Sequence, residues 1–327
     1  MRAIRAAAVA ILTILAILPV TGASAQDFPT KPVRFIVPYA AGGSGDLLAR
    51  LLGDKLAKLW GQQVVVDNKP GAGGLIGTEA AARAEPDGYT IYLATDGPIT
   101  IAPSLHKKPL PYDWKRDFQP LSLMAVGYQI LLTSPKLAAS NLKEFIALAK
   151  SDPGKYNFAS IGVGSAPHMS AEYFLSLAGL KLTHVPYRGS SQQAIAALIS
   201  GDVEMFVVGT STAVPFVKAA TVRDLAVTAP KRLDSLPDTP TFAEQGLPAM
   251  DYSIWFAVLA PSTTPPAIAK RLRDGIAAAV ADPDYRQTLH ARGFEAVSNT
   301  PEQLAAFLDK DYLRSKVLIE TLGLKVD

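Results

Sequence analysis

Residues 35–56 read "FIVPYAAGGSGDLLARLLGDKL", from Phe35 to Leu56. An apolar run of strand character empties into a turn of Gly, Ala and Ser, and a helix starts at once. The turn holds Pro38, Tyr39, Ala40, Ala41, Gly42, Gly43, Ser44 and Gly45. Ser44 is expected as the N-cap, which leaves the first free N–H groups of the helix facing the space beyond the strand. Small side chains let an oxyanion approach those groups, and Asp46 in the first turn suits the helix dipole. Such a turn is either an anion cradle or a tight connection, and one copy does not decide between them.

Strand and helix alternate outward from this point. Strand-like segments are "VRFIVPY", "QVVVDN", "TIYLAT", "KYNFAS", "LTHVPY", "VEMFVVG" and "DLAVTA", with helical stretches such as "NLKEFIALAK" and "SQQAIAALIS" between them. Continuous apolar strands joined by helices indicate an α/β fold with parallel sheet covered on both faces. Two longer apolar strands interrupt the alternation, "LSLMAVGYQILLTS" and the run from Tyr252 to Ala260, each after a Pro-rich stretch. They are expected to be hinge crossovers between two lobes, with the C-terminal helices returning to the first lobe. The boundaries expected are residues 26–125 plus 251–327 for domain 1 and 126–250 for domain 2. A cleft between two such sheets lies at the carboxyl ends of their strands, where open α/β sheets bind ligands.

Residues 1–25 form a separate object: Arg2 and Arg5, then "AAAVAILTILAIL", then small residues with Ala23 and Ala25 at an A-x-A site. This is the pattern of a secretory signal peptide cleaved after Ala25, its apolar run being short for a membrane span of about 20 residues. Loss of Arg2 and Arg5 takes the formal charge from +3 to +1. A near-neutral chain offers no electrostatic case for nucleic acid or a membrane surface. The chain has no cysteine, so disulfides, thiolate chemistry and thiolate metal sites are excluded.

The turn motif recurs in the middle of the chain. "NFASIGVGSAPHMSAEYF" is a strand, a Gly/Ser turn and a helix; "HVPYRGSSQQAIAAL" repeats it with Tyr187, Arg188, Gly189 and Ser190; "MFVVGTSTAVPF" repeats it through Gly209, Thr210, Ser211 and Thr212. Four such turns suggest a cleft lined with N–H and O–H donors, suited to carboxylate. Nucleotide phosphate fits badly, because neither G-x-x-x-x-G-K-[ST] nor G-x-G-x-x-G can be read here; "PGAGGLIG" (70–77) misplaces the last glycine. A hydrolase built on Ser165 and His168, or on Ser211 in "GTSTA", is the rival reading. It lacks a group to orient the imidazole and the closing glycine of a nucleophile elbow. His106, His168, His184 and His290 are scattered, with no i, i+4 pair, so no catalytic or metal site is expected.

Taken in order, these loops resemble the Bug-type (TctC-like) substrate-binding proteins of tripartite tricarboxylate transporters. The matching phrases include "FPTKPVRFIVPYAAGGSGDLLARLL", "QVVVDNKPGAGGLIGTEAAARAEPDGYTIYLAT", "YNFASIGVGSAPHMSAEYF" and "HVPYRGSSQQAIAALISGDVEMF", and they span essentially the whole mature chain. The resemblance implies a two-lobed periplasmic binding protein of type II, the Venus-flytrap architecture. In it each lobe is a mixed, mainly parallel sheet flanked by helices. It also implies a monomer without cofactor that gives a small carboxylate, a dicarboxylate or an aromatic acid, to one small and one large integral membrane transporter subunit. Carried over residue by residue, the first binding loop falls on Ala41, Gly42, Gly43 and Ser44, following Tyr39. The contact at the end of the third strand falls on Thr95 and Asp96, and the second-domain loop on Ser160, Gly164, Ser165 and His168. The motif tyrosine is Tyr187, and the later pocket wall is Gly209 and Thr210. Two departures stand out. Many relatives carry a small hydroxyl residue where this chain has Asp96, which would repel a second anionic group if it faced the ligand. Many carry Asp-Asn where this chain reads Val208-Gly209, which makes the wall smaller and more apolar. A ligand sensor feeding a signalling partner is the remaining alternative.

Overall fold

The computed structural model describes residues 28–326, so the expected leader and its cleavage point after Ala25 lie outside the described residues. Ten strands follow in chain order: β1 (Val33–Val37), β2 (Val64–Asn68), β3 (Thr90–Thr95), β4 (Phe118–Thr133), β5 (Asn157–Ser160), β6 (Thr183–Pro186), β7 (Met205–Gly209), β8 (Arg223–Val227), β9 (Ser253–Pro261) and β10 (Phe294–Ala296). Their hydrogen-bonded order is β2-β1-β3-β9-β4-β7-β5-β6, with β8 and β10 also on β4.

The parallel pairs are β1 with β2 and β3, and β5 with β6 and β7. Helices Ser44–Trp60, Leu75–Ala82, Ala166–Ala178 and Ser191–Ser200 fill the intervals between successive strands of these groups. A parallel pair cannot be joined by a hairpin, so the helical intervals read from sequence are the crossovers it requires. Every antiparallel pairing involves β4 or β9, the two long apolar strands. The fold is thus α/β and two-lobed, with a mixed sheet in each lobe.

β4 belongs to both lobes. Up to Tyr128 it pairs with β9, and from Gln129 onward with β7. The return of the chain is fixed at the same level. Thr228 Oγ1 accepts from the Gln129 amide at 2.9 Å and donates to the Tyr252 carbonyl at 2.7 Å, while the Thr228 amide donates to the Gln129 carbonyl at 2.8 Å. β10 was not anticipated, since three residues are too few to show a period. It lies against β4 at Gly127, where a Cβ would come within 2.7 Å of the Phe294 ring.

A continuous buried core runs from Phe35, Leu48 and Leu52 in the first lobe to Phe145, Phe158 and Phe174 in the second. Each such side chain contributes about 1.5–3 kcal/mol by leaving water, and in a chain without cysteine this burial replaces crosslinks. Of the C-terminal helices, Pro266–Ala281 packs on Ser44–Trp60, and Pro301–Leu322 on the turn Gly97–Ile101. Among the described residues no helix is long and apolar enough to cross a membrane.

Candidate functional site

The four Gly/Ser turns meet at one cavity of about 50 Å³ between the two sheets. At roughly 10–15 Å³ per enclosed water, it holds a few waters or a compact solute. Gly43, Ser44 and Gly45 line it from the first turn, Ala166 and Pro167 from the second, Gly189 and Ser191 from the third, and Val208 and Gly209 from the fourth.

Three of the helices that start there have no side-chain cap. Helix Ser44–Trp60 is capped by Gly43, which has no side chain to offer. Ser44 itself is already helical, which corrects the expected cap: Gly43 has the extended backbone (φ −85°, ψ 173°) that a cap needs. The Ser44 hydroxyl is thereby free to cross the cleft, lying 2.8 Å from Ser211 Oγ and 3.1 Å from Thr212 Oγ1. Helix Thr210–Lys218 starts from Gly209, again without a cap. Helix Ala166–Ala178 starts from Ser165, whose hydroxyl donates instead to the Gly162 carbonyl at 2.6 Å. Uncapped helix N-termini leave amide donors and the positive end of the dipole for an anion. Behind the first of them Asp46 is occupied: Oδ2 accepts from the Gly42 amide at 2.9 Å and from Arg50 Nε at 3.1 Å. Burial pushes the Asp46 carboxyl up, but these bonds outweigh it and hold it below its ordinary range.

The sequence-derived site residues divide by position. Tyr39, Gly43, Ser44, Thr95, Asp96 and Gly209 are on the cavity wall. Tyr39 and Thr95 bond each other through their hydroxyls at 3.0 Å. Ala41 and Gly42 are exposed at the rim; there the Gly42 carbonyl accepts from Gln192 Nε2 at 2.9 Å, and nearby the Ala40 amide donates to Gly189 O at 3.2 Å. Ser160, Gly164, Ser165 and His168 are buried behind the wall. Ser160 Oγ lies 2.6 Å from His184 Nε2, and His168 Nδ1 accepts from the Gly164 amide at 3.3 Å. The two imidazoles, far apart in sequence, lie 4.3 Å apart by ring centroid with Phe158 stacked against both. Burial holds His168 neutral, its pKa pushed down to about 3 with His184 adding to the effect, and brings His184 to about 4. Tyr187 is half-buried beside the wall rather than on it, and Thr210 is fully buried off it. Ser165 and His168 thus serve backbone groups rather than each other, and Ser211 serves Ser44, so neither nucleophile arrangement considered from the sequence is assembled; Ser160 and His184 do bond each other, buried behind the wall. Among the described residues no group of three or more His, Asp or Glu could hold a metal ion.

Asp96 terminates β3 and is buried. Its Oδ1 accepts from the Gly97 amide at 2.9 Å, and Tyr252 OH reaches Oδ2 at 3.4 Å. Burial, reinforced by the charge of Asp311, raises its pKa to about 7 despite the opposing Gly97 amide, Arg314 and Tyr252. Asp311 is in turn held by Thr100 Oγ1 at 2.7 Å and by the indole N–H of Trp255 at 2.9 Å, so Trp255 both packs and anchors.

Sequence reasoning missed Gln129 and Ser191 on the wall, and took Gly189 only as part of the third turn. Gln129 is fully buried, and neither Nε2 nor Oε1 has a hydrogen-bond partner. An unmade buried bond costs about 1–3 kcal/mol, so this amide is the most conspicuous open valence of the site. No motif points to it, because a lone glutamine inside "YQILLTS" looks like an ordinary strand residue.

Comparison with known proteins agrees with this geometry. The family model "Tripartite tricarboxylate transporter family receptor" (TctC) matches residues 48–324. The Bordetella pertussis protein BugT is 34% identical over 304 residues, 93% of either chain. Among solved structures, R. palustris Rpa4515 with adipate superposes with a TM-score of 0.87 at 30% identity, covering 91% of this chain and 99% of that one. MatC of Rhodopseudomonas palustris with bound malate gives 0.84 at 30% identity, covering 89% and 100%. Receptors of this kind bind solutes and are not enzymes. The chain belongs to the TctC family of tripartite tricarboxylate transporter receptors.

Proposed function

We propose that the chain is exported, cleaved after Ala25, and acts in the periplasm as a monomeric receptor for a small organic carboxylate. It would hold the carboxylate in the cavity between residues 26–125 plus 251–327 and residues 126–250, and present it to one small and one large membrane subunit. The observation that carries this reading is that three helices without side-chain caps, starting after Gly43, Ser165 and Gly209, bring a cap or first residue to one cavity. The adipate and malate seen in the two related structures support it.

No lining side chain is cationic, so amides and hydroxyls must suffice. A hydrogen bond to a charged group contributes roughly 1.5–3 kcal/mol, so four or five on carboxylate oxygens give about 6–15 kcal/mol. Micromolar affinity needs about 8 kcal/mol, after the costs of ordering the ligand and closing the lobes. Thermal-shift screening of the mature chain against mono-, di-, hydroxy- and aromatic acids, with calorimetry on hits, tests the reading. It expects at least one acid with a micromolar or tighter Kd. Absence of any stabilisation across the panel would remove the carboxylate assignment.

A further inference from the structure

We propose that Gln129 reads the ligand, and that the cavity selects an organic acid with one carboxylate, an apolar body and a second, uncharged group that both donates and accepts hydrogen bonds, such as a hydroxyl. This rests on the receptor reading above and narrows it to a ligand class.

Gln129 lines the cavity while fully buried, with both side-chain polar atoms unpartnered. Its main chain is held on both sides by Thr228, so the residue is fixed in place and only its amide is open. A primary amide presents a donor and an acceptor together. A carboxylate accepts only; set against Gln129 it would satisfy Nε2 and leave Oε1 bare. A hydroxyl accepts from Nε2 and donates to Oε1, completing both. The same wall carries the buried carboxyl of Asp96 and no cationic side chain to balance a second ligand charge; Arg314, whose charge Asp96 feels, is off the wall and paired with Asp311 at 3.1 Å. Between these polar points the surface is hydrocarbon: Ile161, Val208, Ile254 and Phe256. Adipate, bound by a relative, carries a second carboxylate that this wall does not match.

The experiment measures Kd by calorimetry for two matched series on the mature chain: hexanoate, 6-hydroxyhexanoate and adipate, then benzoate, 4-hydroxybenzoate and terephthalate. Wild type, Gln129→Met and Gln129→Glu are compared, with melting curves confirming that each variant folds. The expected result is that the hydroxy acid binds at least about tenfold more tightly than both companions in one series. Gln129→Met should reduce that ratio to about twofold or less while retaining the plain acid. Gln129→Glu keeps the length and loses the donor, so it should weaken the hydroxy acid as well. A diacid that binds tightest in both series overturns the inference and leaves the receptor standing. An unchanged ratio in Gln129→Met does the same, since it is what an amide bonded only to water would give. Failure of all six acids to bind would overturn the inference, while the receptor reading stands or falls on the wider thermal-shift panel.

Discussion

Gly209 shows how one absent side chain shapes the cleft. A Cβ at this position would overlap Ser44 Oγ, the atom that bonds Ser211 and Thr212 across the lobes. Gly209→Ala should therefore weaken binding of an acid identified by the screen by about tenfold, or roughly 1.4 kcal/mol, with little change in the melting temperature of the empty protein. Adding Ser44→Ala removes the overlapping oxygen and should recover part of the loss, which a double-mutant cycle by calorimetry measures. Asp96 gives a second test through pH. Its folded pKa of about 7 lies above the ordinary 3.8, so its contribution to stability is complete below pH 3.8 and is lost as pH rises toward 7. At about 1.4 kcal/mol per pH unit, that loss reaches at most roughly 4 kcal/mol. Asp96→Asn lacks this titration. Its melting temperature should exceed the wild type's by more at pH 8 than at pH 4.5, and parallel curves would remove the buried-acid account.

At the scale of elements, the turns were the legible part. Gly and Ser between an apolar strand and a helix mark a loop by chemistry alone, and the four turns read that way all reach the cavity. Strand and helix spans agreed to within a few residues because the apolar runs are continuous; "TIYLAT" is β3 to the residue. What sequence could not show is which atom in a turn is already occupied. Ser165 reads as a donor to ligand, yet the backbone folds its hydroxyl onto Gly162. Tyr187 is displaced from the wall because Arg188 (φ 26°) and Gly189 (φ 80°) swing the turn, so that Gly189 and Ser191 reach it instead. Gln129 was hidden for a different reason, since only the passage of β4 from one sheet to the other brings it to the cleft. That passage has its own test. With Phe294 against Gly127, Gly127→Val should destabilise by about 1–3 kcal/mol through overpacking, read as a lower midpoint in urea denaturation. An unchanged midpoint would mean that β10 gives way freely.

For the whole molecule, closure rests on a few polar bridges: Ser44 to Ser211 and Thr212, Gln192 to Gly42, and Ala40 to Gly189. Gly73 meets Val163 across the cleft backbone to backbone, with no room for a Cβ. Each neutral bond contributes about 0.5–1.5 kcal/mol net. Combining Ser44→Ala with Gln192→Ala should reduce ligand affinity by roughly five- to thirty-fold, at about 1–2 kcal/mol in total. Small-angle scattering of the variant should still show compaction once ligand is in excess; a variant that never contracts would mean these bridges define closure rather than favour it. Gln129 sits where β4 changes sheets, so hinge bending about β4, as the proposed receptor would need, would displace it least. On the proposed reading a solute would dock on this amide while the mouth gapes, before the rims of Gly42 and Gly189 arrive. Discrimination would then precede commitment, and a wrong solute would depart without the jaws having shut.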